Sequence, residues 1–216
     1  MARIALFGAG GTIGRRIADE ALSRGHEVTA VVRDPARFDR QAPGLTVTTG
    51  DVLDPQSVAA VASGQDVVVS AVGRKDGPGS LALMGPSARS LVEGLRRLGP
   101  QAPRLISVGG AGSLETAPGV KVWDAPGLPE GLVQIMRSHG EALEVFRAAP
   151  DVRWTSLSPA ATIEPGERTG RYRTGTEQLV TDAEGRSYIT AEDYAVALVD
   201  EIENPQHVGE RFTVAH

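Results

Sequence analysis

Three glycines at intervals of three, Gly8, Gly11 and Gly14, follow an apolar run and precede a helical pattern in "IALFGAGGTIGRRIADEAL", residues 4–22. Glycine lets backbone N–H groups approach a diphosphate closely, and a helix N-terminus adds a favourable partial positive charge. Gly10 loosens the same turn, and Thr12 offers a hydroxyl and an amide. The strict G-x-G-x-x-G pattern fails because position 13 is Ile. The strand–loop–helix setting still makes Gly8, Gly10, Gly11, Thr12, Ile13 and Gly14 a candidate diphosphate loop. The plainer alternative is a tight strand–helix turn that holds nothing.

The end of the second strand supplies the next test. An acid about 20 residues beyond the glycines would bond the ribose hydroxyls of NAD. Here Arg33 stands 19 residues beyond Gly14, in "VVRDP". A guanidinium suits a 2′-phosphate through paired, charge-assisted hydrogen bonds. Arg37, one helical turn on, can join it. These residues favour NADP(H), with NAD(H) as the second choice because Asp34 could bond a ribose. A solvated turn is the plain alternative for Arg33.

Other chemistries are excluded or weakened by composition. The chain has 216 residues and no cysteine, so disulfides, thiolate zinc sites, iron–sulfur clusters and thiol catalysis are absent. That suits a reducing cytoplasm. The net charge of −5 argues against a large nucleic-acid surface. Of the 22 basic residues only Lys75 and Lys121 are lysines, which limits lysine chemistry to two positions. The histidines, His26, His139, His207 and His216, show no metal-ligand spacing. The run Ile4–Phe7 is shorter than the apolar core of about 7 to 15 residues in a secretory leader, and no run approaches the roughly 18 of a membrane span.

The elements that must position these residues alternate regularly over the first half. Strands are expected at 3–7, 27–32, 45–49, 66–72 and 104–108, with helices after the glycines, after Asp54-Pro55, and over about 83–98. Asp54 reads as an N-cap and Pro55 as a first-turn residue. Such alternation predicts an α/β fold with a doubly wound parallel sheet of the Rossmann type, as one domain over 1–216. Residues 109–130 read as a long loop rich in Gly and Pro. A helix is expected near 131–149, a strand at 153–159, and an irregular excursion with a hairpin at 164–188. Thr190 caps a last helix before a closing strand at 211–215. Trp154 reads as core. Trp123 either covers a substrate or anchors its loop. Glu141 and Glu144 read as a solvated helix face, and "RTGRYR" (168–173) as a solvated hairpin.

Taken together, "GAGGTIG", "VTAVVRDP", "GDVLDPQSV", "DVVVSAVG", "ISVGGAGSL", "WTSLSPA", "PGERTGRYRTG" and "YITAEDYAVALVDEIENP" resemble the atypical short-chain dehydrogenase/reductase group. The nearer likeness is to its NmrA-like, NAD(P)H-binding branch, which includes biliverdin and flavin reductases. The resemblance spans nearly the whole chain. It implies that the Gly8–Gly14 loop takes the diphosphate and Arg33 the 2′-phosphate. Asp51 and Val52 would border the adenine, and Ala71, Val72 and Gly73 the ribose. Ser107, Val108 and Gly109, with Gly110, would approach the nicotinamide. Pro159, Ala160, Ala161 and Thr162 would close over its carboxamide. The substrate-side elements would be about 109–130 and 159–188. An exposed helix pair often mediates pairing in this group, so a homodimer is a candidate state.

The wider superfamily transfers hydride with Tyr-x-x-x-Lys and a serine. None of Tyr172, Tyr188 and Tyr194 has lysine four residues on. Aligned with that motif, Ile135 falls at the tyrosine position and His139 at the lysine position, and Val108–Gly110 occupy the serine site. Flavin-reductase-like members lack the pair too, since a conjugated acceptor stacked on nicotinamide takes hydride by proximity and orientation. His139 is then the candidate proton donor, because imidazole titrates near neutrality, and Ser107 a second candidate catalytic group. Plain alternatives are a helix-surface histidine and a strand-end hydroxyl bonded to backbone. The expected function is an NAD(P)H-dependent reductase acting on a small conjugated or carbonyl substrate. The other reading is a redox sensor of the NmrA-like kind that binds NADP(H) without turnover.

Overall fold

The computed structural model describes residues 1–73 and 83–216, so Lys75 lies outside the described residues. In chain order the elements are β1 (Arg3–Phe7), α1 (Thr12–Ser23), β2 (Glu27–Val32), β3 (Leu45–Thr49), α2 (Pro55–Ala62), β4 (Val67–Ser70), α3 (Met84–Arg96) and β5 (Arg104–Val108). They continue with β6 (Glu115–Ala117), β7 (Val120–Lys121), α4 (Glu130–Arg147), β8 (Trp154–Ser158), β9 (Thr162–Glu164), β10 (Arg173–Gly175), β11 (Tyr188–Thr190), α5 (Ala191–Glu203) and β12 (Glu210–Ala215).

Eight strands join in the order β10-β12-β8-β5-β4-β1-β2-β3. Every neighbouring pair is parallel except β10–β12. The chain moves outward from β1 through β2 to β3, then returns to β4 on the other side of β1. That reversal opens a crevice at the carboxyl ends of β1 and β4, the place where doubly wound sheets bind ligands. The fold is the Rossmann-type α/β arrangement that strand–helix alternation predicts.

Both faces of the middle of the sheet are covered, which is why central strands such as β1 and β4 are apolar on both sides. Along β1, Ile4 and Leu6 face a core shared with Ile17 of α1 and Tyr194 and Leu198 of α5. Ala5 and Phe7 face a second core with Val58 of α2, Leu91 and Leu95 of α3, and Leu143 and Phe146 of α4. Burying each such leucine or isoleucine contributes about 1.5–3 kcal/mol. Trp154 belongs to this second core, stacked on Phe146 at 6.0 Å between ring centroids. The two caps read from sequence form: Asp54 Oδ1 accepts from the Gln56 N–H at 2.9 Å, and the Thr190 hydroxyl accepts from the Asp193 N–H at 3.0 Å. Each stabilises its helix by about 1 kcal/mol.

Three expectations need correction. Residues 109–130 are not one long loop: β6 and β7 pair as a small antiparallel ribbon, and Leu114 is fully buried. The 164–188 excursion does not form a hairpin. β10 joins the edge of the main sheet beside β12, and β11 pairs in parallel with β9. "RTGRYR" is likewise no solvated hairpin, because Arg168 is bound to Glu20, the Tyr172 hydroxyl donates to Asp200, and Arg173 starts β10. In each case a distant partner overrides the local turn signals.

Among the described residues no helix is long and apolar enough to cross a membrane.

Candidate functional site

The loop after β1 is built around two glycines that no other residue could replace without strain. Gly8 has φ +83°, and a Cβ there would lie 2.5 Å from the Ala71 carbonyl oxygen beyond β4. A Cβ on Gly14 would lie 2.1 Å from the Gly8 carbonyl oxygen. The first turn of α1 is thereby drawn down onto the ends of β1 and β4. Gly11 is the N-cap and offers no side chain to the helix. Its own N–H donates to the Gly8 carbonyl at 3.0 Å. The N–H groups of Thr12, Ile13 and Gly14 have no preceding helical carbonyl to bond. Gly10, Gly11 and Thr12 are exposed, and Ile13 is half-buried against the α1–α5 core. The loop therefore presents free amides at a positive helix end, the geometry that holds a diphosphate.

Arg33 and Arg37 are exposed beyond β2. Asp34, between them, is engaged in its own turn, where its Oδ1 accepts from the Ala36 N–H at 3.1 Å. Asp51 similarly closes a local turn, accepting from the Leu53 N–H at 2.9 Å, and Val52 packs on the second core. Ala71 donates its N–H to the Phe7 carbonyl at 2.9 Å, which seats Ala71, Val72 and Gly73 beside the glycine loop.

The next strand brings the candidate chemical groups. Ser70 on β4, Ser107 on β5 and Ser156 on β8 are direct register partners across three parallel strands. They line a recess between the sheet and helices α3 and α4, together with Val72, Ser87 and His139. Ser70 and Ser156 were not singled out from sequence. The sequence shows one serine in Val67–Ser70, one in Arg104–Val108 and two, beside Thr155, in Trp154–Ser158, and their alignment appears only once the register is known.

His139 reaches this recess because of the "GGAG" turn at 109–112. Gly109 donates its N–H to the Leu157 carbonyl at 2.8 Å. A Cβ on Gly110 would lie 2.9 Å from His139 Cβ, and one on Gly112 would lie 2.3 Å from Met136 Cβ. The three-residue spacing of Met136 and His139 puts both on one face of α4, and the glycines let that face settle onto the end of β5. His139 is thus half-buried rather than on an open helix surface. Burial pushes its imidazole below the ordinary value of 6.5, so the ring is neutral at pH 7.

Trp123 acts as an anchor. Its backbone N–H donates to the Gly112 carbonyl at 3.0 Å, and its ring rests on Gly140, where a Cβ would come within 2.8 Å. Glu141 pairs with Arg89 and Glu144 with Arg147, both largely in solvent, as a helix face would. On the far side of the crevice, Ala160 is buried, the Ala161 N–H donates to the Ser187 hydroxyl at 3.1 Å, and the Thr162 N–H to the Ser187 carbonyl at 3.1 Å. The phenol of Tyr194 is buried and donates to the Leu157 carbonyl at 2.7 Å. Burial and the neighbouring Asp200 raise the Tyr172 phenol well above its usual range.

A crevice at the switch point, a free-amide glycine loop and a strand-end row of hydroxyls define a Rossmann-type dinucleotide-binding protein. Comparison with known proteins agrees. Residues 8–205 match the NAD(P)H-binding family model, and the chain belongs to that family. It is 38% identical over 215 residues to the uncharacterized protein YwnB of Bacillus subtilis, covering 98% of this chain and 97% of that one. A Burkholderia pseudomallei protein, provisionally named as exported, is 44% identical with a TM-score of 0.89, and each chain is covered in full. A Streptococcus pneumoniae protein provisionally named an NADH-flavin reductase is 31% identical with a TM-score of 0.88, again over 100% of both chains.

Proposed function

We propose that the chain is an NAD(P)H-dependent reductase that prefers NADPH and acts on a small conjugated or carbonyl acceptor of the flavin or quinone class. The observation that carries this reading is the meeting, at the carboxyl ends of the central strands β1, β4 and β5, of the glycine loop, Ala71–Gly73 and the Ser107–Gly110 turn backed by His139. A bound reduced nicotinamide supplies a hydride. The amides of Thr12, Ile13 and Gly14 hold the diphosphate, and Arg33 with Arg37 meets a 2′-phosphate. Asp51 and Val52 border the adenine, and Ala71–Gly73 the ribose. Ser107, Val108 and Gly109 would approach the nicotinamide, and Pro159–Thr162 would close over its carboxamide. Residues 109–130 and 159–188 serve as the substrate side of a single domain.

With no Tyr-x-x-x-Lys pair, the protein's contribution is alignment and exclusion of water. The neutral His139 ring and the Ser107 hydroxyl orient the acceptor by hydrogen bonding. The proton that accompanies the hydride comes from solvent, one ring nitrogen of His139 accepting it as the other releases its own, so the ring stays neutral. The whole-length likeness to the provisionally named flavin reductase supports this class of acceptor.

A second reading, a dinucleotide sensor without turnover, draws support from the tyrosines. Tyr172 and Tyr194 are both bonded elsewhere, with phenols far harder to ionise than usual. Following NADPH oxidation with flavins, quinones and small aldehydes separates the two. Turnover with at least one conjugated acceptor is expected. Bound NADPH with no oxidation by any of them would favour the sensor.

A further inference from the structure

Residues 166–170 have no strand or helix of their own. Side chains of the two helices beneath them hold them in place. Arg168 forms a two-pronged pair with Glu20 of α1 at 2.7 and 2.8 Å. Asp193 of α5 accepts from the Thr169 N–H at 2.9 Å, the Thr169 hydroxyl at 2.5 Å and the Gly170 N–H at 2.7 Å. The Thr190 hydroxyl donates to the Glu167 carbonyl at 3.1 Å. Glu20 and Asp193 are buried, and these contacts fasten the segment to the body of the fold.

One anchor leads somewhere else. Glu192 Oε2 accepts from the Gly166 N–H at 2.7 Å, and its Oε1 accepts from Arg16 Nε at 2.5 Å. The same guanidinium donates through Nη1 to the Thr12 carbonyl at 2.8 Å. Thr12 opens α1 and belongs to the candidate diphosphate loop. Gly166 must be glycine for the chain to pass here, since a Cβ would lie 2.6 Å from Thr190 Cγ2. Both partners of the ion pair are only 23% exposed, so this is not an ordinary, solvent-weakened surface pair. Burial alone would raise the Glu192 carboxyl, but the Gly166 amide and Arg16 outweigh it and keep the group ionised at neutral pH. Three bonds therefore run in series from the diphosphate loop to the segment that follows β9.

We propose that Arg16 and Glu192 are positioning residues that tie the order of residues 166–170 to occupation of the diphosphate loop. The proposal rests on the NADPH-dependent reading above. An anion gripping the first-turn amides fixes Thr12, and Arg16 one turn later then holds Glu192 and Gly166 in one geometry. Linkage makes the effect reciprocal: a segment already ordered returns its order as affinity for the dinucleotide.

Amide hydrogen exchange on the full chain, with and without NADPH, tests this, alongside calorimetric NADPH affinity. In the wild type, saturating NADPH slows exchange at 166–170 by roughly 5- to 20-fold, within the usual range of such couplings. In Glu192→Gln, NADPH still binds, several-fold more weakly, and protects the Gly8–Gly14 loop. Protection at 166–170 no longer responds to it. Arg16→Lys keeps a cation but cannot reach Thr12 and Glu192 together, so it gives the same result if Glu192→Gln folds poorly. A purely structural ion pair would lower stability in both variants and leave the response to NADPH intact, which overturns the proposal. Wild-type binding with unchanged exchange at 166–170 overturns it too. A wild-type chain that binds no NADPH overturns the underlying reading and this proposal with it.

Discussion

Gly110 and His139 are in such close apposition that any side chain on Gly110 would begin 2.9 Å from His139 Cβ. The neighbour is the root of a helical side chain, not a mobile tip, so α4 itself would have to move. Gly110→Ala is therefore expected to destabilise the fold by about 1–3 kcal/mol, the range of modest overpacking. It should also lower turnover of any acceptor more than it weakens NADPH binding. Urea melts and steady-state kinetics on the variant check both. An unchanged midpoint and rate would show that α4 does not depend on this contact.

Arg33 is exposed, with Arg37 nearby and Asp34 occupied by its own turn. If its guanidinium bonds a 2′-phosphate, Arg33→Ala loses a charged hydrogen bond worth about 1.5–3 kcal/mol, or roughly 10- to 100-fold in NADPH affinity. NADH binding should change little. Paired titrations with the two dinucleotides measure the difference, and an equal loss for both would remove the 2′-phosphate role.

The lowered imidazole of His139 gives a signed pH prediction. Below about pH 6.5 the unfolded chain takes up a proton at this position and the folded chain resists it, so acid favours unfolding. This part of the stability is complete above pH 6.5 and is lost as pH falls toward the folded value. Thermal melts from pH 8 to pH 5 should show that loss in the wild type and a shallower one in His139→Gln. The same neutral ring predicts a turnover rate nearly flat between pH 7 and 8.5. A rate that collapses as pH rises through 6.5 would mean that the charged ring is required.

Gly14 sets two effects against each other. Alanine is the better helix former by about 0.5–1 kcal/mol. Its Cβ, however, would sit 2.1 Å from a main-chain carbonyl that cannot rotate away. The clash wins, so Gly14→Ala should lower stability by more than the propensity gain and abolish dinucleotide binding. Retained binding, measured by fluorescence titration, would dissociate the close packing of this turn from its role.

Much of the cofactor half was legible because its signals are local. The apolar runs at β1, β2, β3 and β5 end where glycine, Asp-Pro or Gly-Gly interrupts them, and Asp54 and Thr190 cap the helices they precede. The C-terminal half was less legible because its structure is made by partners far apart in sequence. Arg173 pairs with Ala215, and Tyr188 with Thr162, through β9, β10 and β11, strands of only three residues whose local pattern reads as loop. Arg168 looks like a solvated cation until Glu20, on α1, is brought under it. The row Ser70, Ser107 and Ser156 depends on register, which no single strand encodes.

The central claim is that the backbone amides of the Gly8–Gly14 loop grip a dinucleotide diphosphate, and isothermal titration of the folded wild-type chain tests it most directly. The account predicts saturable, one-site binding of NADPH, with NADH weaker. No heat with NADPH, NADP+, NADH or NAD+ would contradict it.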